Sequence, residues 1–390
     1  MLAPMAEKVE SPSESGKAGG VGYSVRSEMA LIVGIVTLTI FFGAGNWVVE
    51  NTTHPLLLVG VFLWLFIVIL WSAICVVRHA DCLAIKFGEP YGTLILTLSA
   101  IAIEVAMIST TMLHGKNNPT LGRDAIFAVV MIALNGLVGL CLLMGGLRHR
   151  EQHYNLQGVN SYLNIIMTLA VLGLVLPSFT TSTSGPTHSV SQGIFVALTS
   201  LVLYAIFLLI QTMRHSQYFM ESTDVVVALT KSTHHHQLQV RSTGFHAVIL
   251  LVYLCVVVLL SEKFAIPLDI SIERFGMPQA FGGAIVACLV LAPEGIGAIE
   301  ATLRNQLQRS VNILLGSVLA TIGLTIPAVL TIGLITHRSI VLGVQGGNLP
   351  LLLLTLAVSV VTFTSGKTNV LQGCIHLLLF GVFVLLIFAP

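Results

Sequence analysis

The chain has 390 residues, 55% of them hydrophobic and only 9% charged, with a formal net charge of +1 and a mean hydropathy of +0.93. Soluble domains carry roughly 25% charged residues, so lipid rather than water solvates most of this chain. The near-neutral balance and the lack of any Lys/Arg-rich block point away from a nucleic-acid partner and leave membrane lipid as the main environment.

Residues 1–28 are polar and begin too far from an apolar run to be a signal peptide; they read as a disordered cytoplasmic tail. A helix needs roughly 20 apolar residues to cross the hydrocarbon. Eleven segments qualify in order: approximately 29–48, 55–77, 91–114, 124–147, 159–177, 190–213, 244–262, 277–300, 311–336, 349–365 and 369–389. Only a short polar stretch around "GKT" divides the last two. The six cysteines stand alone without CxxC spacing and read as small hydrophobes.

Basic residues orient the spans, because cytoplasmic loops are enriched in Lys and Arg. With the N-terminus inside, thirteen of the 18 basic residues fall on the cytoplasmic side and five outside. An odd number of spans then puts the C-terminus outside. The longest polar connection, 214–243, lies inside, with five spans before it (55–213) and five after it (244–390) once the extra N-terminal helix (29–48) is set aside. Five is odd, so the two halves must cross in opposite senses. The expected fold is an all-α polytopic membrane protein with about 11 transmembrane helices, one extra N-terminal helix plus two inverted five-helix repeats. Many secondary transporters share that plan, with the site at mid-membrane between the repeats.

Acidic residues then locate the chemistry. Of the seventeen, fourteen lie in the tail, in loops or close to span ends, and Glu300 can reach water or Arg304 one turn on. Glu104 in "SAIAIEVAMI" and Glu294 in "LVLAPEGIGA" remain, well inside spans three and eight, the second spans of the two halves. A carboxylate near the bilayer centre costs a few kcal/mol on insertion scales. The bland explanation is a protonated glutamate hydrogen-bonding between helices. The sharper one is a shared cation site whose carboxylates take up protons when the cation leaves, since desolvation and mutual repulsion both favour the neutral form.

The neighbouring residues suit a hard cation, which takes oxygen ligands. Pro293 lacks a backbone donor, and Gly295 and Gly297 follow, so span eight is expected to be discontinuous there, exposing carbonyls near Cys288 and Leu289. The third spans carry polar groups, Asn135 in one and Asn312 with Ser317 in the other; Ser99, Thr97 and Thr325 are further candidate oxygens. An isolated Ser or Thr more often bonds its own helix backbone. His246 and His376, near span starts, read as interfacial or interhelical hydrogen bonders. The triplet His234, His235 and His236 in the long loop reads as flexible loop, with pH or metal sensing the alternative.

The stretches "GEPYGTLILTLSAIAIEVAMI" and "LAPEGIGAIEATLRNQLQRSVNILLGSVLATIGLTIPAV" resemble the two alpha repeats of the calcium/cation antiporter superfamily, closest to its bacterial calcium/proton exchanger branch of ChaA-like ionic transporters. The cytoplasmic piece "NGLVGLCLLMGGLRHREQHYNLQGVNSYL" is similar too, and the likeness runs from about residue 27 to the C-terminus. Proton-coupled members carry a GN-x-x-E-type signature; here "AIAIE" and "LAPEG" keep the glutamates without the asparagines. A glutamine of some relatives falls on Ala320, and no acidic helix divides the halves, whose loop holds only Glu221 and Asp224. The resemblance implies that Glu104 and Glu294 bind cation and proton, with Asn135 and Ser317 in support.

Together these readings lead to an antiporter of the bacterial inner membrane with no resident cofactor, exporting Ca2+ in exchange for H+. A Na+ or K+ antiporter of the same fold is the alternative. A cation channel would be expected to show a selectivity motif, and an enzyme a nucleophile or a metal set such as HExxH. Neither pattern is present. Composition says nothing of the oligomeric state.

Overall fold

A computed structural model describes residues 28–51, 54–88, 91–114, 118–220 and 241–389. The tail residues 1–27 and the loop histidines, His234 to His236, lie outside the described residues. Eleven helices follow in order: α1 (Met29–Asn51), α2 (Pro55–Phe87), α3 (Tyr91–His114), α4 (Leu121–His149), α5 (Leu156–Ser178), α6 (Val190–Arg214), α7 (Thr243–Arg274), α8 (Ala280–Leu303), α9 (Leu307–Thr336), α10 (Asn348–Thr362) and α11 (Val370–Phe388). Their outward faces carry Trp64, Ile67, Phe195, Leu198, Leu251, Leu378 and Leu385, all exposed. Apolar surface on that scale is tolerated only against lipid.

Contacts between connections sort the helix ends into two sets. At the first end, a two-residue strand after α4 (β1, Gln152–His153) pairs antiparallel with one after α10 (β2, Lys367–Thr368), Gln152 opposite Thr368. Gln152 also donates to the carbonyl of Thr302, near the end of α8, at 3.0 Å, and Lys86 near the end of α2 donates to the carbonyl of Arg241, just before α7. At the second end, Val341 N–H donates to Pro119 O and Gly343 N–H to Pro186 O, at 3.0 and 2.9 Å. The eleven helices therefore alternate in direction, and the described chain starts and finishes at opposite ends.

Packing relates the halves. α2 lies along α7; α4 packs against α8 and α11, and α9 packs against α3 and α6. Each half thus sends its third helix against the second and fifth helices of the other half. The fifth helices start alike: Ser189 caps α6 and Asn369 caps α11, each in a reciprocal box with a glutamine three residues on, within the shared pattern V-x-Q-G. Close approach at these crossings needs glycine. A Cβ on Gly283 would lie 2.7 Å from the backbone of Asp124 and Ala125, and one on Gly373 would lie 2.5 Å from Leu143 N.

One expectation is corrected. α8 runs unbroken through Pro293; neighbouring helices hold its backbone in place, and a buried transmembrane helix tolerates one missing donor. The irregular turns lie elsewhere. α4 and α9 each widen into a π-turn, at Ile132–Leu137 and Thr321–Thr325, as do α5 at Val171–Val175 and α6 at Ile210–Arg214. Such turns free carbonyls and cluster at functional sites.

A buried polar chain ties α1, α2 and α7 near the first end. The N–H of Arg241 donates to His246 Nε2 at 3.0 Å, so the His246 proton sits on Nδ1, which faces His79 Nδ1 at 3.0 Å. His79 Nε2 lies 3.4 Å from Glu28 Oε2 and 3.2 Å from Arg78 Nη2. Tyr253 and Arg78 donate to the same carboxylate at 2.9 and 2.8 Å. His246 is thus an interhelical hydrogen bonder. Replacing it, as in His246→Leu, leaves His79 Nδ1 without its donor in a buried site, a cost of about 1–3 kcal/mol. A lower unfolding temperature in detergent is expected; an unchanged one would remove the chain from the fold's stabilising contacts.

Candidate cation and proton site

Glu104 sits midway along α3 and Glu294 in the second half of α8, so the packing of the two halves brings both to one cavity of about 450 Å3. Thr97 of α3 and Ser317, Asn312 and Gly316 of α9 share its wall. From the carboxylates the cavity continues past Val77 and Asp81 of α2, Gln211 of α6 and Arg309 of α9 toward the first end. None of its lining residues belongs to a second-end connection. On that side Arg338 donates to the carbonyl of Met112 at 2.6 Å, closing α3 against the connection after α9.

The two carboxylates are held differently. Glu104 is 3% exposed, and its oxygens accept hydrogen bonds from Thr321 and Thr325 of the α9 π-turn at 2.8 and 2.9 Å. These hydroxyls come from the opposite half, one turn apart on one face. Glu294 Oε2 is buried without a hydrogen-bond partner among the described residues. An unpaired buried carboxylate oxygen is costly, and neutralising its charge, by a proton or a cation, would lower that cost.

The sequence explains the asymmetry. Glu104 and Glu294 lie 190 positions apart, as do Met131 and Thr321, and Asn135 and Thr325. Where α9 offers Glu104 two hydroxyls, α4 has a thioether and an amide. That amide is turned away: Asn135, fully buried, donates to Thr355 at 2.8 Å, and its Oδ1 lies 3.2 Å from His376 Nδ1. His376 Nε2 in turn meets the Thr362 hydroxyl at 3.0 Å, so His376 is also an interhelical hydrogen bonder.

Of the remaining candidates, Asn312 reaches the wall with its amide already engaged. It donates to Phe219 O at 2.6 Å and accepts from Gln308 at 2.9 Å. It lies in the second turn of α9 rather than at mid-span. Ser99 bonds its own helix at Ile95 O, 2.7 Å away. Ser317 lines the cavity near Glu294's helix. Sequence reasoning passed over Thr321, although "TIGLT" places two hydroxyls one turn apart in an apolar run. It also groups Asp81 with the acids of the tail, loops and span ends, whereas α2 extends to Phe87 and carries it into the cavity wall. Glu300 pairs with Arg304, exposed at the first end. No cluster of three or more His, Cys, Asp or Glu occurs among the described residues, so any ion here would be held by glutamates, hydroxyls, carbonyls and water.

Residues 57–213 and 245–389 match the family described as sodium/calcium exchanger protein. The chain belongs to that family. It is 43% identical over 315 residues to the putative ionic transporter y4hA of Sinorhizobium fredii, covering 80% of this chain and 84% of that one. To the sodium-potassium/proton antiporter ChaA of Escherichia coli it is 38% identical over 367 residues, covering 93% and 96%. A Ca2+/H+ antiporter of Aphanothece halophytica is 25% identical over 308 residues, covering 70% of this chain and 81% of that one. Among solved structures, native YfkE superposes with a TM-score of 0.70 at 18% identity, covering 93% of this chain and all of that one. The family thus sets the fold class, an all-α polytopic membrane protein of the ChaA-like branch, while the glutamates, the threonines and the cavity are read from this chain.

If the threonine hydroxyls hold the Glu104 carboxylate ready for a cation, Thr321→Val and Thr325→Val should each weaken cation binding without unfolding the protein. A lost hydrogen bond of about 0.5–1.5 kcal/mol corresponds to roughly a two- to tenfold rise in the half-saturating cation concentration. Unchanged half-saturation in both variants would show that the hydroxyls serve packing only.

Proposed function

We propose that this chain is a secondary active cation/proton antiporter that exports cytoplasmic Ca2+ in exchange for H+ by alternating access. In this reading cation and protons compete for Glu104 and Glu294. The observation that carries it is the single cavity holding two mid-depth carboxylates from the two halves, one of them with an unpartnered oxygen.

The first end is taken as cytoplasmic, following the 13-to-5 basic bias. The cavity then faces inward, the N-terminus is cytoplasmic and the C-terminus outside, and the bacterial relatives make the inner membrane the natural location. A divalent cation entering from the cytoplasm meets two carboxylates of matching charge, with Thr321, Thr325, Ser317, Thr97 and water as further oxygens. Of the other amides, Asn312 and Asn135 would join only by giving up their present partners.

Either ligand neutralises the carboxylates, so a loaded or a doubly protonated site can be closed away from water. An empty, doubly charged site carries the full desolvation cost and does not cross. That difference enforces exchange. Relative movement of the halves would expose the site at the second end, where protons displace the cation and return the carrier.

A second reading, exchange of Na+ or K+ for H+, is favoured by the 38% identity to a sodium-potassium/proton antiporter over nearly the whole chain. One carboxylate would then keep its proton while the other binds the ion.

Everted vesicles acidified inside test the reading. Added Ca2+, Na+ or K+ should collapse the pH gradient for the unmodified protein, and Glu104→Gln and Glu294→Gln should each abolish the response. The ion giving the larger response at equal concentration ranks the substrates. Because protons compete, the half-saturating cation concentration should rise as the pH of the cation-facing side falls. Normal exchange in both variants would make the buried acids structural.

A further inference from the structure

The cavity holds a third carboxylate and one fixed positive charge that the exchange chemistry does not use. Asp81, partly buried on α2, and Arg309, at the start of α9, line its mouth. They belong to opposite halves, line the same cavity and are close enough for their charges to interact. Among the described residues they do not close into an ion pair of the kind seen between Arg78 and Glu28 at 2.8 Å or Lys367 and Glu151 at 3.0 Å. The route from the first end to Glu104 and Glu294 therefore passes an exposed guanidinium and a partly buried carboxylate.

A lone arginine beside a narrow cation path raises the energy of every approaching cation, and low-dielectric walls strengthen the effect. Asp81 offsets that charge. With Glu104 and Glu294 both protonated, Asp81 and Arg309 leave the described lining residues with no net charge. With both ionised the net charge is −2, located at the inner end. Among the described lining residues, the charge thus favours cations once the exchange site has given up its protons.

Resting on the antiport reading above, we propose that Asp81 and Arg309 form a charge-balanced access gate that sets the apparent cation affinity on the side to which the cavity opens. Arg309 raises the threshold for cation access and Asp81 lowers it. Neither contacts the ion in the occluded site, so the pair governs half-saturation rather than maximal turnover.

The test is vesicle exchange with cation presented on the cavity side, using the cation that the unmodified protein prefers, at low and high ionic strength. Asp81→Asn should raise the half-saturating concentration roughly three- to tenfold with little change in maximal rate, and Arg309→Gln should lower it. The double variant should return to within about twofold of the unmodified protein. All differences should shrink as salt screens the exposed charges. If Asp81→Asn does not insert stably, Arg309→Gln alone decides the sign. Half-saturation unmoved in these variants, or a loss of maximal rate in place of a shift in affinity, overturns the gate. Glu104→Gln is run alongside. If it abolishes exchange while the gate variants behave as the unmodified protein, the gate fails and the antiport reading stands; if it exchanges normally, the antiport reading itself fails.

Discussion

Two carboxylates in the middle of a membrane are the constraint from which the rest of the structure follows. Each is expensive to bury while charged and cheap to bury once neutralised. Glu104 is placed against two hydroxyls, Glu294 is left with an open oxygen, and both face one cavity. On the antiport reading proposed above, that arrangement would give the site two comfortable conditions, protonated and cation-loaded, and one uncomfortable one, empty and charged. A carrier built this way has a reason to exchange rather than leak. Glycines serve a separate need, the close crossings of α4 with α8 at Gly283 and with α11 at Gly373.

The two halves are related without being equivalent. The π-turns of α4 and α9 occupy matching places, yet one presents hydroxyls to Glu104 while the other turns its amide toward Thr355 and His376. A symmetrical arrangement would satisfy both acids equally, whereas here only Glu104 receives hydroxyl donors from the other half. On the proposed reading, the unpartnered oxygen of Glu294 is where a cation would gain most by binding.

Hydropathy made the eleven helices legible, because lipid imposes a length on a spanning helix and few other forces interrupt so apolar a chain; eight of them, among the described residues, are long and apolar enough to cross a membrane. The two glutamates were legible for a related reason: a charged residue in the middle of such a run stands out whatever surrounds it. Side-chain direction was not. Asn135 and Thr325 occupy corresponding positions, but which one points at an acid depends on partners more than two hundred residues away. Pro293 suggested a break that the packed bundle does not make, while the π-turns have no comparable single-residue marker. Asp81 was hidden because α2 continues past its apolar stretch to Phe87. The V-x-Q-G pattern at Val190 and Val370 was available in the sequence but becomes meaningful only once α6 and α11 are seen as counterparts.

Competition for the same carboxylate oxygens is the central claim, and proton release reports it most directly. Purified protein in weakly buffered detergent solution near neutral pH would be titrated with Ca2+, Na+ or K+ while free protons and bound cation are followed together. A shared site predicts that cation binding expels protons, and that changing both Glu104 and Glu294 to glutamine removes binding and release alike. Saturable cation binding with no proton release, or release that persists in the doubly substituted protein, would contradict it.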